Sequence, residues 1–307
     1  MNYDLIIVGG GPAGAAAGVY AARKKIKTLL ITESWGGQST DSVGIENWIG
    51  TIKISGIEFG KVLHEHVAAY AGDSVVLSEG EKVAKIEKFD GHFKVTTDKE
   101  SHSSKSVLIT TGSTRRKLEV SGAQEYEGKG IVYCASCDGP LFAGQDVVVI
   151  GGGNAAFDSA AQLLAYCKSV TLLNRSEHLR ADPITVDSVS KNPKFKMIMN
   201  ALPVEIKGDN FVTGIMYEDS KTREQILVPA AGIFVEIGLL PTTWFVEKLV
   251  EMNEIKQIKV DPRNQRTSVP GLWAAGDCTD GLFHQNNIAA GDAVKAIEDI
   301  YLELQKM

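Results

Sequence analysis

The sequence predicts an α/β fold with two Rossmann-like dinucleotide-binding domains, the second inserted into the first. Three observations carry that reading. "DLIIVGGGPAGAAAGVYAARKKIKTLLITE" from Asp4 is matched by "DVVVIGGGNAAFDSAAQLLAYCKSVTLLNR" from Asp146, each reading as apolar strand, glycine turn, alanine-rich helix and second strand. The interval from the first glycine to the end of the second strand, Gly9 to Glu33 and Gly151 to Asn174, is kept to within one residue. The C-terminal "VPGLWAAGDC" contains a short strand that needs a sheet to join, and the first domain's sheet is its natural place. The expected boundaries are therefore 1–112 and 241–307 for the first domain and 113–240 for the inserted one.

Gly9, Gly11 and Gly14 take the G-x-G-x-x-G spacing between an apolar strand and a helix. The first permits the tight turn, the second lets the backbone approach a pyrophosphate, and the third lets helix and strand pack, while the helix N-terminus attracts phosphate. Glu33 ends the next strand, where a carboxylate is either a ribose contact or an ordinary solvated acid. His64 and His66 are two apart on a helical stretch, hence on different faces and no metal pair. "VAKIEKFDGHFKVTTD" and "KSVLITTG" then alternate as short antiparallel strands with a turn at Asp90-Gly91, a β-meander closing the first unit.

The second loop has Gly151 and Gly153 with Ala156 at the third position, which the motif tolerates. Its strand ends in Asn174, followed by Arg175, Ser176 and later Arg180. No carboxylate stands at the ribose position, which disfavours a simple NAD-type contact. The arginines either bind a 2′-phosphate as donors or are ordinary surface charges. "KFKMIMNALPVEIKGDNFVTGIMYED" and "REQILVPAAGIFVEIG" repeat the meander pattern, and the chain closes with strand, turn and a long amphipathic helix.

Cys134 and Cys137 lie in "CASCDG", directly before the second glycine loop. A zinc site would need a second half, and neither another Cys-x-x-Cys nor paired histidines exist, so no metal is expected. Packing thiols explain one buried cysteine better than a pair followed by Asp138 and Gly139. Redox chemistry fits the spacing: two intervening residues allow a small-ring disulfide, and Asp138 is placed to shuttle a proton to the departing sulfur. Cys278, beside Gly-Asp, and Cys167, on the helix after the second loop, read as packing residues.

The chain has 307 residues, 44% hydrophobic and 23% charged, enough for a substantial core. Its 38 acids against 32 bases remove the electrostatic footprint of a general nucleic-acid binder, leaving proteins and small molecules as partners. The N-terminus enters an apolar strand by the fourth residue, so no signal peptide is expected, and no apolar run reaches transmembrane length. A reducing cytoplasm is the expected compartment, where a disulfide is transient or catalytic.

With "GGGPAG", "GGQ" at Gly36 to Gln38, "IEN" at Ile45 to Asn47, "TTG" at Thr110 to Gly112, "CASCDG", "GGGNAA", "GLLP" and "AAGDC" in one order, the whole chain resembles the low-molecular-weight bacterial thioredoxin reductases. It also resembles the reductase portion of the alkyl hydroperoxide reductase flavoprotein, to which "YCASCDGPLF" and "AGIFVEIGLLP" look closer. The resemblance implies a flavoprotein of the two-dinucleotide-binding type, with FAD in the first domain, NADPH or NADH in the inserted one, and a homodimer. It assigns FAD contacts to Gly11, Pro12, Ala13, Glu33, Gly37 and Gln38, and to Asn47, Thr111, Gly112, Gly276, Asp277 and Gln285. It places the pyridine nucleotide on the second loop, including Asn154 and Ala155. Cys137 would face the flavin, Cys134 would attack the disulfide of thioredoxin or a thioredoxin-like protein, and Asp138 would be the acid.

Three departures stand out. The family's His-Arg-Arg phosphate motif reads "NRS", so that Arg175 and Arg180 match but Ser176 does not. Its Arg-Gln-Ala beside the flavin reads His284, Gln285 and Asn286. The chain starts at the FAD strand, without the thioredoxin-like domain of the hydroperoxide reductase flavoprotein, so its dithiol acceptor is expected to be a separate protein. The damaged phosphate motif motivates an alternative in which NADH, a reduced deazaflavin or ferredoxin replaces NADPH. A ferredoxin reductase or a nucleotide-dependent sensor would have no use for the Cys-Ala-Ser-Cys-Asp unit.

Overall fold

The computed structural model describes residues 2–42 and 44–306. It divides into two compact units, one made of Met1–Asp41, Trp48–Thr114 and Leu240–Met307 and the other of Ser42–Asn47 and Arg115–Leu239.

The first unit opens with β1 (Asn2–Gly10), α1 (Pro12–Arg23) and β2 (Thr28–Trp35), followed by α2 (Gly56–Ala71) and β3 (Val75–Glu79). Next come β4 (Val83–Phe89), β5 (His92–Thr97) and β6 (Ser101–Ile109), and then β7 (Ser113–Arg115). Leu5, Ile6 and Ile7 are fully buried, because a parallel strand at the centre of an α/β sheet is covered on both faces. The sheet order is β3-β2-β1-β6-β5-β4.

Within the second unit the chain runs through β8 (Ile131–Val132), α3 (Ala135–Asp138), β9 (Asp146–Ile150), α4 (Asn154–Leu163), β10 (Ser169–Leu173), α5 (Pro183–Ser190) and β11 (Phe195–Ile198). It continues through β12 (Ala201–Gly208), β13 (Val212–Asp219), β14 (Gln225–Pro229) and β15 (Gly232–Val235), and β16 (Leu239–Pro241) crosses back into the first unit. The parallel sheet has the order β11-β10-β9-β15-β8, β12 to β14 form a separate three-stranded sheet, and β16 pairs with β7. Alternation sorts the core: Val148, Ile150, Ile233 and Val235 pack with Ile206 and Ile215 of the small sheet, whereas Val147, Val149 and Phe234 pack with Phe157, Ala160 and Leu163 of α4.

The chain ends in the first unit with β17 (Leu272–Ala274) and α6 (Asn286–Leu304). β17 and the meander divide β6 between them: Ser101 to Ser104 pair antiparallel with β5, and Val107 to Ile109 pair parallel with β17. Arg266 ties this end down through Asp299 at 2.6 Å and Glu303 at 2.9 Å, and the buried Trp273 indole donates to the same Asp299. No helix among the described residues is long and apolar enough to cross a membrane.

The structure corrects the reading of the second meander. β11 and β15 join the parallel sheet, and only β12 to β14 run antiparallel. Alternation of apolar residues marks a strand with a buried face but does not say which sheet buries it. Cys167 lies beyond the end of α4 rather than on it, although it is buried as expected. Glu33 stands inside β2, and Asn174 follows β10.

Candidate active site

In the first unit a cavity of about 490 Å³ opens at the carboxyl ends of the strands. The chain enters at β1, works outward through β2 and β3, and returns to the other side of β1 at β6, so the cavity sits at the topological switch point where such sheets bind ligands. Gly9 to Ala13, Glu33, Gly37, Gln38, Thr111, Gly112, Gly276, Asp277 and Asn286 line it. Gly9, at φ +116°, could not carry a side chain, because a Cβ would stand 2.5 Å from the Thr110 carbonyl oxygen. Gly14 is tighter still, at 1.8 Å from the Gly9 oxygen. At Gly11 and Gly112 a Cβ would meet nothing within 4 Å, so these glycines face open space. No side chain caps α1, whose first turn points its N–H groups at the loop. A glycine cradle, an uncapped helix and a carboxylate at the ribose position fit a dinucleotide.

Not every expected contact lies there. Asn47 belongs to the short stretch grouped with the second unit, and neither His284 nor Gln285 lines the cavity. Gln285 precedes α6 as its cap residue, and the Nε2 of His284 is buried without a hydrogen-bond partner among the described residues. Asn286 accepts a hydrogen bond from Ser39 at 2.9 Å. Sequence reasoning missed Lys82, which lines the cavity and stands 3.4 Å from the Glu33 carboxylate, because nothing in the local pattern of β4's approach singles out a lysine.

The second unit repeats the switch point between β9 and β15. From one side to the other, the carboxyl ends present Asn174 after β10, Gly151 after β9, Glu236 after β15 and the approach to Cys134 after β8. Here too the first glycine is obligatory, since a Cβ on Gly151, at φ +148°, would lie 2.3 Å from the Glu236 carbonyl oxygen. Gly153 faces open space and no side chain caps α4. Ala155 follows in the first turn of α4, and Ala156 is fully buried with its methyl in the core. The Asn154 carboxamide accepts from the Asp182 N–H at 2.7 Å. The Asn174 amide is consumed by the chain itself, donating to the carbonyls of Ser176 at 2.9 Å and His178 at 3.1 Å. Arg175 and Arg180 are exposed beside this turn.

Cys134 and Cys137 are joined as a disulfide with their Cα atoms 5.3 Å apart. Cys134 caps α3, its sulfur accepting from the Cys137 N–H at 3.2 Å. Asp138, only 4% exposed, closes the helix, and its Oδ1 finds no hydrogen-bond partner among the described residues. Burial raises its carboxyl to about 6 against the opposing pull of the Arg115 guanidinium, which suits a group exchanging protons near neutrality. Sequence reasoning also missed Glu236, whose side chain is 9% exposed. It accepts from Ser159 at 2.7 Å and faces Arg115 at 3.5 Å. Cys278 is buried, its thiol pushed up to about 12 by burial, and it donates to main-chain oxygens as a packing residue would.

Residues 3–293 match the family described as pyridine nucleotide-disulphide oxidoreductases. The chain belongs to that family. It is 40% identical over 295 residues to an alkyl hydroperoxide reductase component from Staphylococcus epidermidis, and 40% over 294 residues to a Bacillus subtilis protein named NADH dehydrogenase. Each match takes in 96% of this chain but 57% of the relative, so the chain spans little more than half the length of these proteins. Among solved structures it is similar to the thioredoxin reductase of Streptococcus pyogenes, with a TM-score of 0.91 and 34% identity over 100% of this chain and 99% of that one. It is likewise similar to that of Giardia duodenalis, with a TM-score of 0.92 and 31% identity over 99% of both. FAD and NAD(P)H are the cofactors of pyridine nucleotide-disulphide oxidoreductases of this fold.

Proposed function

We propose that the chain is an FAD-dependent dithiol-disulfide oxidoreductase that takes electrons from a reduced pyridine nucleotide and delivers them to thioredoxin or a thioredoxin-like protein. The observation that carries this reading is the Cys134–Cys137 disulfide at the carboxyl end of β8, in the sheet that holds the second glycine loop and next to a buried acid. The first-unit cradle, with Gly9, Gly11, Glu33 and Gly112, would hold FAD, which when bound would supply hydride acceptance and two-electron transfer. The second loop holds the nucleotide.

Once the pair is reduced, the Cys134 thiolate attacks the partner's disulfide, forming a mixed disulfide and expelling one partner thiolate. Cys137 then attacks the Cys134 sulfur, which releases the second partner thiolate and restores the Cys134–Cys137 bond. Asp138 supplies and recovers the proton at sulfur. A cytoplasmic homodimer is part of the proposal. Reduction of thioredoxin disulfide by the flavin-loaded protein and a pyridine nucleotide tests it, and absence of turnover with every thioredoxin-like acceptor would remove it.

A second reading, in which NADH is the donor, is favoured by Ser176, whose hydroxyl is engaged with the His178 carbonyl at 2.8 Å where an arginine would have met a 2′-phosphate. The Bacillus subtilis relative's name points the same way. Anaerobic titration of the flavin absorbance with NADPH and with NADH separates the two.

A further inference from the structure

Glu236 is a buried acid for which the mechanism above has no task. Its surroundings show where it acts. The strand order places it at the carboxyl end of β15, directly across the switch point from the glycine loop that ends β9. A dinucleotide on such a unit lays its pyrophosphate on the glycine loop and one ribose over the next strand, here β10. Its other half must therefore cross to the opposite side of β9, over β15. Ser159 reaches the same point from α4, 2.7 Å from Glu236 Oε1, and Arg115 meets Oε2 more loosely at 3.5 Å. A carboxylate offers about four lone-pair positions, so these two donors leave acceptor capacity. Burial raises the Glu236 carboxyl, while Arg115 and Ser159 act to keep it ionised. In the first unit the equivalent position, the one whose carbonyl crowds the first glycine, is Thr110, and its hydroxyl is spent on the carbonyl of Val8. The second unit has placed an acid where the first has a self-satisfied hydroxyl.

Resting on the pyridine-nucleotide reading of this unit, we propose that Glu236, oriented by Ser159, is the residue that recognises the nicotinamide end of the nucleotide. It accepts a hydrogen bond from the carboxamide and favours the positively charged oxidised ring.

The test is binding rather than turnover. Calorimetric titration of the FAD-loaded, oxidised protein uses NAD+ and NADP+, with ADP-ribose and its 2′-phosphate as probes that lack nicotinamide. Glu236→Gln, which keeps the shape and removes the charge, should weaken NAD+ and NADP+ about tenfold, the size of one charge-assisted hydrogen bond, and leave both ADP-ribose probes unchanged. Ser159→Ala, which keeps the charge and loosens its orientation, should show a smaller loss with the same selectivity. Equal weakening of all four probes would mean a structural ion pair and overturn the proposal, as would wild-type affinity for NAD+ in both variants. A wild-type protein that binds none of the four would instead remove the nucleotide reading itself.

Discussion

The two units use one device for one purpose and then diverge around it. In each, the strand across the switch point brings a carbonyl so close to the first glycine that a Cβ could not fit, at 2.5 Å from Thr110 and 2.3 Å from Glu236. Beyond that shared crowding the surroundings differ. The first unit carries a carboxylate, Glu33, on its cavity wall, and its meander strands stay attached to the parallel sheet. The second spends Asn174 on its own turn, sends its antiparallel strands into a separate sheet, and has, where β17 lies beside β6 in the first, a β8 strand that leads into the dithiol. The lesson is that the glycine loop specifies a dinucleotide, whereas the neighbouring strand ends specify what is done with it.

The largest expected effect breaks the feature that only the second unit has. Cys134→Ser should bring disulfide-protein reduction to background while leaving reduction of the flavin by its donor intact, because that step does not need the outer thiol. Cys137→Ser should also stop turnover but trap the partner on Cys134 as a mixed disulfide, visible by mass spectrometry. Wild-type turnover in Cys134→Ser would reverse the assignment of the outward-facing sulfur.

The shared loop can be broken selectively at its third position. Gly14→Ala would drive a Cβ to 1.8 Å from the Gly9 oxygen, so we expect at least about 3 kcal/mol of destabilisation and loss of FAD from the purified protein. The reciprocal Ala156→Gly should cost less, about 1.5 to 2 kcal/mol through helix propensity and a lost methyl contact. Equal losses in the two variants, measured by urea unfolding and flavin content, would show that the loops are more alike than their packing indicates.

Asp138 sharpens the comparison through pH. Its carboxyl rises from 3.8 to about 6 in the folded state, so the fold binds that proton more tightly than the unfolded chain does. The stabilising contribution is complete below pH 3.8 and is lost as pH rises through about 6, a change of roughly 3 kcal/mol at most. Asp138→Asn, which cannot titrate, should flatten unfolding stability across that window. An unchanged slope would place the proton elsewhere.

The smallest effect concerns the donor. Charge-assisted contacts to a 2′-phosphate contribute roughly 1.5 to 3 kcal/mol each, so Ser176→Arg should raise the kcat/KM ratio of NADPH over NADH on the order of tenfold or more. A wild type that already prefers NADPH by about a thousandfold, roughly 4 kcal/mol, would show that Arg175 and Arg180 suffice.

Much of the site was legible because its signals are local. A turn with positive φ demands glycine, a two-residue spacer lets two sulfurs meet, and a strand buried on both faces must be apolar, so Gly9, Gly151, Cys134 and Cys137 stand out in one dimension. Tertiary structure alone decided which sheet each alternating strand joined, sending β11 and β15 to the parallel one. The reason is that pairing is settled by partners far apart in sequence. It also decided that Asn174 would serve its own turn and that Glu236, a lone acid after an apolar run, would meet Ser159 and Arg115 across separations of 77 and 121 residues. Burial and charge at a strand end are properties of the neighbours, and those neighbours come together only when the chain has folded.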